Sequence, residues 1–292
     1  MIEFLTSLIN GLSLGGVYAM IALGYTMVYG IAKMLNFAHG DIIMVGGYTV
    51  VVFFTMMKLP AVAGIAMAVL VCMLIGIATE RFAYRPLRGA SPLAVLITAI
   101  GVSYLLQSVA QIIFGTGTKY ASINTFGVIR IGELQIEVAT LITLATAVLV
   151  MIGLMLFIKK NKLGKAMLAV SEDKDAARLM GINVNSVVTL TFIIGSALAG
   201  LAGVAMLFKS PSVTNTMGAM PGIKAFTAAV IGGIGSIPGA MLGGLLLGLV
   251  EAVCNSIPVL APYTVAIEFL ILIVILLVKP TGLIGKKKRE KV

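Results

Sequence analysis

The chain has 292 residues, of which 60% are hydrophobic and 11% are charged, whereas roughly 25% of the residues of an ordinary soluble domain are charged. At a mean hydropathy of +1.11, too few polar side chains remain to cover a soluble fold, which excludes a soluble enzyme. The net charge of +10 does not indicate a protein that binds nucleic acid, because the basic residues stand between apolar runs rather than together on a polar domain. The sequence therefore predicts an integral membrane protein whose surface faces lipid.

Eight apolar runs have about the length that a helix needs to cross a bilayer, which is roughly 20 residues. In chain order they are 4–31, 41–57, 59–79, 92–115, 137–158, 184–208, 222–256 and 260–278. We therefore predict an all-α polytopic integral membrane protein that forms a single domain over residues 1–292. It has about eight transmembrane helices, within a range of seven to nine.

The run 222–256 is longer than one span requires, and glycines interrupt it. Its stretch GGIGSIPG at 232–239 disfavours a continuous helix. Ser236 and Pro238 are suited to starting a new helix, since proline is tolerated in a first turn. We expect a broken helix at 232–239.

Most of the basic residues fall into three clusters, at 81–88, 159–178 and 279–291. Because positively charged loops stay in the cytoplasm, all three clusters are predicted to be cytoplasmic, and with them the C-terminus. Two spans separate the first cluster from the second, which is consistent with one side for both. The loop around 116–136 then lies outside, and three simple crossings before Arg81 would place the N-terminus outside too.

Residues 172–180 carry the signals of a short helix within the second basic cluster. Ser171 can cap it, acidic residues follow in its first turn, Arg178 lies in its last turn, and Gly181 can take the left-handed terminating position. A helix of this length is marginal in water on its own, so docking must stabilise it. The physical argument leaves open whether it docks on this chain or on a partner.

The same segment resembles a known motif. Permease subunits of bacterial ABC importers carry a motif of Glu-Ala-Ala, three further residues and Gly. The present sequence is similar to it, with Asp175-Ala176-Ala177, three further residues and Gly181. Two features depart from that pattern: Asp175 replaces the glutamate, and the Ile-x-Leu-Pro that often follows is missing.

The wider resemblance is to permease subunits of branched-chain amino-acid importers of the LivH type. The segments that carry it span nearly the whole chain: YTMVYG at 25–30, NFAHG at 36–40, ERFAYRP at 80–86, KAFTAAV at 224–230, GGIGSIPGA at 232–240 and PTG at 280–282.

This resemblance implies a multi-subunit importer in the bacterial cytoplasmic (inner) membrane. It would combine two different permease subunits, two cytoplasmic ATPase subunits and a periplasmic substrate-binding protein, and would carry Leu, Ile and Val by alternating access. This chain would be one permease, not an enzyme, with no bound cofactor or metal. The ATPase partners would hold ATP and Mg²⁺, and this chain has no phosphate loop of the form G-x-x-x-x-G-K-[ST].

By the same resemblance, residues 172–180 would form the cytoplasmic coupling helix that fits a groove on an ATPase subunit. Its candidate coupling residues are Asp175, Ala176, Ala177, Arg178 and Gly181. Two alternatives stay open: a related importer for urea, short amides or other amino acids, and a secondary transporter driven by an ion gradient.

Candidate substrate-pathway residues come from the breaks in the apolar runs. Broken helices leave free backbone groups that can receive the charged ends of an amino acid, which points to Gly232, Gly233 and Gly235, and secondly to Asn36 and His39. We interpret His39, the single histidine, as a residue at the boundary of a cytoplasmic turn.

Ionisable residues inside the membrane are costly and are therefore functional candidates. Glu251 and Glu268 are two such residues. Either could bind the substrate ammonium, pair with Lys224 or stay protonated, and Glu268 could also pair with another chain. A secondary transporter would use both acids as coupling sites.

Overall fold

The computed structural model describes residues 2–121, 127–131 and 134–285. The basic residues 286–291 of the third predicted cluster therefore lie outside the described residues. The helices are α1 (Ile2–Ala32), α2 (His39–Val50, continued by a π-helical turn Val51–Met56), α3 (Ala61–Thr79, continued by Glu80–Tyr84), α4 (Pro92–Phe114), α5 (Val138–Lys160), α6 (Lys162–Glu172), α7 (Lys174–Leu179), α8 (Val184–Lys209), α9 (Ala219–Gly232), α10 (Ile237–Ser256) and α11 (Thr264–Val278, preceded by a 3-10 turn Ala261–Tyr263).

Eight of the described helices are long and apolar enough to cross a membrane, which confirms the predicted all-α fold and span number. They are α1, α2, α3, α4, α5, α8, α10 and α11, each taken with its continuing turn where it has one. Helix α9 has only 14 residues. It is the first half of the long run that the sequence predicted to be broken.

The predicted break separates α9 from α10. Gly233 and Gly235 have φ angles of +104° and +95°, a region that favours glycine because it has no side chain. The Ser236 hydroxyl accepts a hydrogen bond from the Gly239 N–H at 3.2 Å, and Pro238 stands in the first turn of α10. Both residues therefore start the new helix as the sequence predicts.

Helix α1 lies at the centre of the bundle and packs against α5, α8, α9 and α10. A Cβ added to Gly248 of α10 would lie 2.2 Å from the Gly15 nitrogen, and one on Gly244 would lie 2.4 Å from the Ala19 nitrogen. Small residues let transmembrane helices approach this closely. The glycines of α1 and α10 thus serve tight helix packing.

Two short antiparallel ribbons lie between the helices. Strand β1 (Lys119–Tyr120), which follows α4, pairs with β4 (Ser212–Val213), which follows α8. Strands β2 (Val128–Ile131) and β3 (Leu134–Glu137) pair in a hairpin before α5. The pairing of β1 with β4 places the C-terminal ends of α4 and α8 at the same end of the bundle.

The described parts of the three basic clusters gather at the opposite end. Arg88, just before α4, is hydrogen-bonded to Asn185 in the first turn of α8, and Lys174 donates a hydrogen bond to the Ala32 carbonyl at the end of α1. The segment after α11 bonds to the end of α9, through Leu283 N–H to Ile231 O at 2.8 Å. The clusters therefore share one side of the bundle, as the sequence predicts.

The start of the predicted helix 172–180 is wrong by two residues. Helix α6 continues through Glu172, and α7 begins at Lys174 with Asp173 as its N-cap. The Asp173 carboxylate accepts hydrogen bonds from the N–H groups of Asp175 and Ala176, whereas Ser171 donates to the Leu168 carbonyl within α6. Asp173 occupies the cap because its one side chain binds two free amides of the first turn.

The predicted end of that helix is confirmed at Gly181. Its φ angle of +80° is the left-handed conformation that commonly terminates a helix.

The tight contact between α1 and α10 predicts a position-specific effect of one added methyl group. Gly248→Ala should lower the free energy of unfolding by about 1–3 kcal/mol, because the methyl group overlaps the backbone of Gly15. Gly153→Ala on α5 is the matched control, since a Cβ there has no atom within 4 Å. Thermal unfolding of both variants in detergent tests this, and equal unfolding temperatures would contradict the assigned packing.

Candidate functional site

Helix α7 presents one face to its own chain and leaves the other uncovered. Ala177 is buried, whereas Leu179 is 90% exposed and Met180 is 82% exposed. Asp175 and Arg178 form an exposed ion pair of 3.0 Å along the helix. The buried Ala177 therefore anchors the helix to its own chain, whereas Ala176, Leu179 and Met180, which share an apolar face at spacings of three and four residues, are all exposed.

Lys174 connects α7 to the central helix. Its ammonium group donates a hydrogen bond of 2.8 Å to the carbonyl of Ala32, the last residue of α1. Carbonyl groups in the last turn of a helix have no partner within the helix, so Lys174 supplies one. Burial lowers the pKa of Lys174, and the guanidinium groups of Arg88 and Arg178 lower it further, against the opposing effect of Asp175.

A second set of contacts holds the surrounding helices together. Arg88 forms an ion pair with the buried carboxylate of Glu80 at the end of α3 and a hydrogen bond with Asn185 of α8. The Thr189 hydroxyl donates to the other Glu80 oxygen at 2.9 Å. These bonds join α3, α4 and α8 beside α7.

The acids within the spans belong to a charged cluster that we define as Tyr18, Lys224, Glu251 and Glu268. Lys224 lies 2.8 Å from a Glu251 oxygen and 3.2 Å from Glu268. The Tyr18 hydroxyl donates to Glu251 at 2.8 Å. One ammonium group thus serves two carboxylates at the meeting point of α1, α9, α10 and α11.

This cluster shows one of the alternatives that the sequence left open, the pairing with Lys224. Both acids pair with Lys224, and Glu268, with a side chain only 1% exposed, is buried within this chain rather than directed at another. Tyr18 was not among the candidate residues that the sequence indicated. No local signal relates Tyr18 to Glu251, which lies 233 residues later.

His39 lies deeper than its predicted position at the boundary of a cytoplasmic turn. It is fully buried, and its ring packs so closely on Gly24 that an added Cβ there would lie 2.3 Å from the Nε2 atom. Gly24 precedes Ala32 by eight residues, or about two helical turns. His39 does follow a turn, because it begins α2 directly after the turn at 37–38, but the segment after α1 folds back beside that helix, so the imidazole lies inside the bundle.

Buried polar pairs surround this position. The Asn36 side-chain oxygen accepts a hydrogen bond from the Tyr84 hydroxyl at 2.8 Å. Gln107 of α4 donates to the Asp41 carboxylate at 2.9 Å. Asp41 and Gln107 were not among the sequence candidates, and only the appearance of polar residues within apolar runs could have indicated them.

The break between α9 and α10 lies beside the end of α1, and a Cβ on Gly30 would be 3.3 Å from the Gly235 Cα. Two carbonyl groups at the end of α9 have no partner within the helix but are hydrogen-bonded to the segment after α11. Ile231 O accepts from the Leu283 N–H at 2.8 Å, and Gly232 O accepts from the Ile284 N–H at 3.0 Å. These two groups are therefore not free to receive a substrate in this conformation.

The structure nevertheless brings the two candidate pathway regions together. Asn36 and Ile234 of the break line the same small cavity. Its other lining residues are Tyr25, Tyr29, Met34, Leu35, Phe226 and Ala229. Glu251 does not line it and lies in the charged cluster instead.

Comparison with known proteins agrees with this architecture. Residues 7–276 match the family described as branched-chain amino acid transport system / permease component. The chain belongs to this family. It is 43% identical to the high-affinity branched-chain amino acid transport system permease protein BraD of Pseudomonas aeruginosa, over 99% of this chain and 98% of BraD.

Two further relatives show how the similarity is graded. The permease protein LivH of Escherichia coli, named for the same high-affinity transport system, is 41% identical over 99% of this chain and 98% of its own length. The fructose import permease protein FruG of Bifidobacterium longum is 22% identical over 98% of this chain and 91% of its own length. The greater similarity is thus to the permeases named for branched-chain amino acids.

The charged cluster predicts that Lys224 is needed as a counter-charge. Lys224→Met leaves two carboxylates in the membrane interior without a cation, and we expect it to lower the stability by roughly 3–5 kcal/mol. A triple variant that combines Lys224→Met with Glu251→Gln and Glu268→Gln removes both acids as well. It should recover most of the unfolding temperature that Lys224→Met alone loses. A triple variant as unstable as the single one would show that Lys224 contributes packing rather than charge compensation.

Proposed function

We propose that this chain is one permease subunit of an ATP-driven ABC importer that carries branched-chain amino acids across the bacterial cytoplasmic membrane by alternating access. The observation that carries the proposal is 41–43% identity over nearly the full length to permeases named for that transport. The fold is consistent with it, since eight apolar helices of spanning length surround a closely packed centre. The chain itself would supply the path and no catalytic group.

The partners at the basic end would be two ATPase subunits, which would bind ATP and Mg²⁺. Supporting this, Leu179 and Met180 are almost fully exposed on a short helix, and a short helix requires docking to be stable. The sequence left open whether α7 docks on its own chain or on a partner, and the contacts with its own chain include those of Ala177 and Lys174. The exposed side of α7 would therefore enter the groove of an ATPase subunit.

Movement of α7 would reach the membrane through Lys174. Because Lys174 is bonded to the end of α1, a displacement of α7 would move the helix at the centre of the bundle. The coupling segment would consist of Asp175, Ala176, Ala177, Arg178 and Gly181. Within it, Asp175 pairs with Arg178 and Gly181 ends the helix.

This assignment places the basic end in the cytoplasm. Positively charged loops are retained there, and the basic clusters gather beside α7. The C-terminus would then be cytoplasmic. A second permease subunit would complete the membrane part, and a periplasmic binding protein would deliver the substrate at the other end.

The substrate pathway would include Asn36, His39, Gly232, Gly233, Gly235 and Glu251. An aliphatic side chain suits the largely apolar surroundings of Asn36 and Ile234, where aromatic rings line the small cavity. Opening of the break would release carbonyl groups that are now bonded to the C-terminal segment. Glu251 would offer its carboxylate to the substrate ammonium from the charged cluster.

The alternative of a gradient-driven transporter has less support. It needs Glu251 and Glu268 as ion-coupling sites, but both are already paired with Lys224. It also gives no role to α7.

Reconstitution distinguishes these possibilities. Proteoliposomes containing the chain with its neighbouring gene products should take up leucine only when ATP and a binding protein are supplied. Urea, acetamide and fructose serve as competing substrates. Uptake by this chain alone under a proton or sodium gradient would refute the proposal.

The docking of α7 predicts an uncoupled variant. Leu179→Asp places a charge on an exposed apolar contact and should reduce ATP-dependent uptake at least tenfold, which corresponds to about 1.4 kcal/mol of lost docking energy. Leu168→Asp on α6 is the control, since it changes the same residue type at an exposed position outside α7. ATP hydrolysis and uptake are measured in the same proteoliposomes, and unchanged coupling in Leu179→Asp would remove the assignment.

A further prediction concerns the break. Gly235→Leu should abolish uptake while the complex still assembles, because a β-carbon is disfavoured at φ +95° and the side chain projects beside the end of α1. Gly89→Leu carries the same backbone strain, at φ +96°, with no atom within 4 Å of the added Cβ. Normal leucine uptake by Gly235→Leu, or an equal loss in Gly89→Leu, would exclude a role of the break in transport.

A further inference from the structure

Helix α4 carries a polar stripe on the side that faces away from its own chain. Gly101, Tyr104, Ser108 and Gln111 are all exposed, and Tyr104 is 66% exposed. Their spacings of three and four residues place them on one face of the helix. The opposite face holds the buried residues Val95, Ala99 and Ala110.

The other lightly buried spans differ from α4 in this respect. Along their middle turns, α3, α5 and α11 expose apolar or small residues. Examples are Leu70 and Leu74 of α3, Leu149 and Ile152 of α5, and Leu270 and Ile273 of α11. These three helices have the surface expected of helices in contact with lipid tails.

Lipid tails cannot cover the α4 stripe at the same low cost. A hydroxyl or amide group in hydrocarbon has no hydrogen-bond partner, and the loss is several kcal/mol per group in general. Tyr104 lies near the middle of α4, which spans Pro92–Phe114, far from the interfacial belts in which tyrosine is common. The stripe therefore requires a cover that supplies polar groups.

The shape of the stripe fits a second helix. Alternating steps of three and four residues, from Gly101 to Gln111, match the seam along which two helices pack at a small crossing angle. A Cβ on Gly101 would have no atom within 4 Å, so the space above it is open to another backbone. Close approach at small residues with hydrogen bonds between side chains is how helices associate in membranes.

We propose that the α4 face formed by Gly101, Tyr104, Ser108 and Gln111 packs against a transmembrane helix of the second permease subunit. The inference rests on the proposed function, which requires such a subunit. Every polar group on the face is neutral and both donates and accepts hydrogen bonds. The partner helix therefore carries small residues and neutral hydrogen-bonding side chains rather than a charge.

Photo-crosslinking in the assembled importer tests the position of this face. The chain is expressed with its neighbouring gene products, with p-benzoylphenylalanine in place of Tyr104 or, as the control, in place of Leu149 on α5. After irradiation, we expect an adduct with a second multi-pass permease, identified by mass spectrometry, from position 104 and not from position 149. Adducts with lipid alone, with a second copy of this chain alone, or equally from both positions would overturn the proposal.

A pair of substitutions gives an independent test. Ser108→Trp should reduce the amount of the second permease that co-purifies at least fivefold, because the indole fills the space that the partner helix occupies. Leu149→Trp should leave that amount unchanged. Equal co-purification with both variants would contradict the assignment of the face.

The same preparations separate failure of this inference from failure of the proposed function. If a second permease co-purifies with the unaltered chain and ATP-dependent uptake is present, but position 104 gives no permease adduct, only the face is wrong. If no second permease co-purifies and no ATP-dependent uptake is found, the proposed function and the face are both wrong.

Discussion

The close contact between α1 and α10 determines how the rest of the bundle is arranged. Lipid tails are as apolar as leucine side chains, so packing and hydrogen bonds between helices must hold them together. Gly15, Gly244 and Gly248 allow the two backbones to meet with no space for a β-carbon. Helix α1 is thereby enclosed, and Tyr18 is brought within hydrogen-bond distance of Glu251 on α10.

The enclosed centre in turn explains how the polar groups are satisfied. Without water, each charged or polar group in a span needs a partner from the protein. Lys224 lies between two acids, and Tyr84 bonds to Asn36. The segment after α11 bonds to the carbonyls at the end of α9. These polar residues of the described spans are therefore paired within the chain, whereas the stripe of α4 is exposed.

The sequence predicts features that depend on local chemistry. The spans follow from apolar length, the break from its glycines, and the end of α7 from Gly181. Features that depend on tertiary contacts are not predictable in this way. The depth of His39 results from the chain folding back after α1. The start of α7 is set by the Asp173 side chain, whereas Ser171 lies within α6.

Helix α1 also connects α7 with the charged cluster. Lys174 bonds to Ala32 at one end, and Tyr18, 14 residues earlier in the sequence, bonds to Glu251. At a rise of 1.5 Å per residue these points are about 21 Å apart along one helix. Because α1 is buried on nearly all sides between them, a displacement at Ala32 would shift its packing against α10. In the proposed importer, motion at α7 would therefore reach the charged cluster along a single helix.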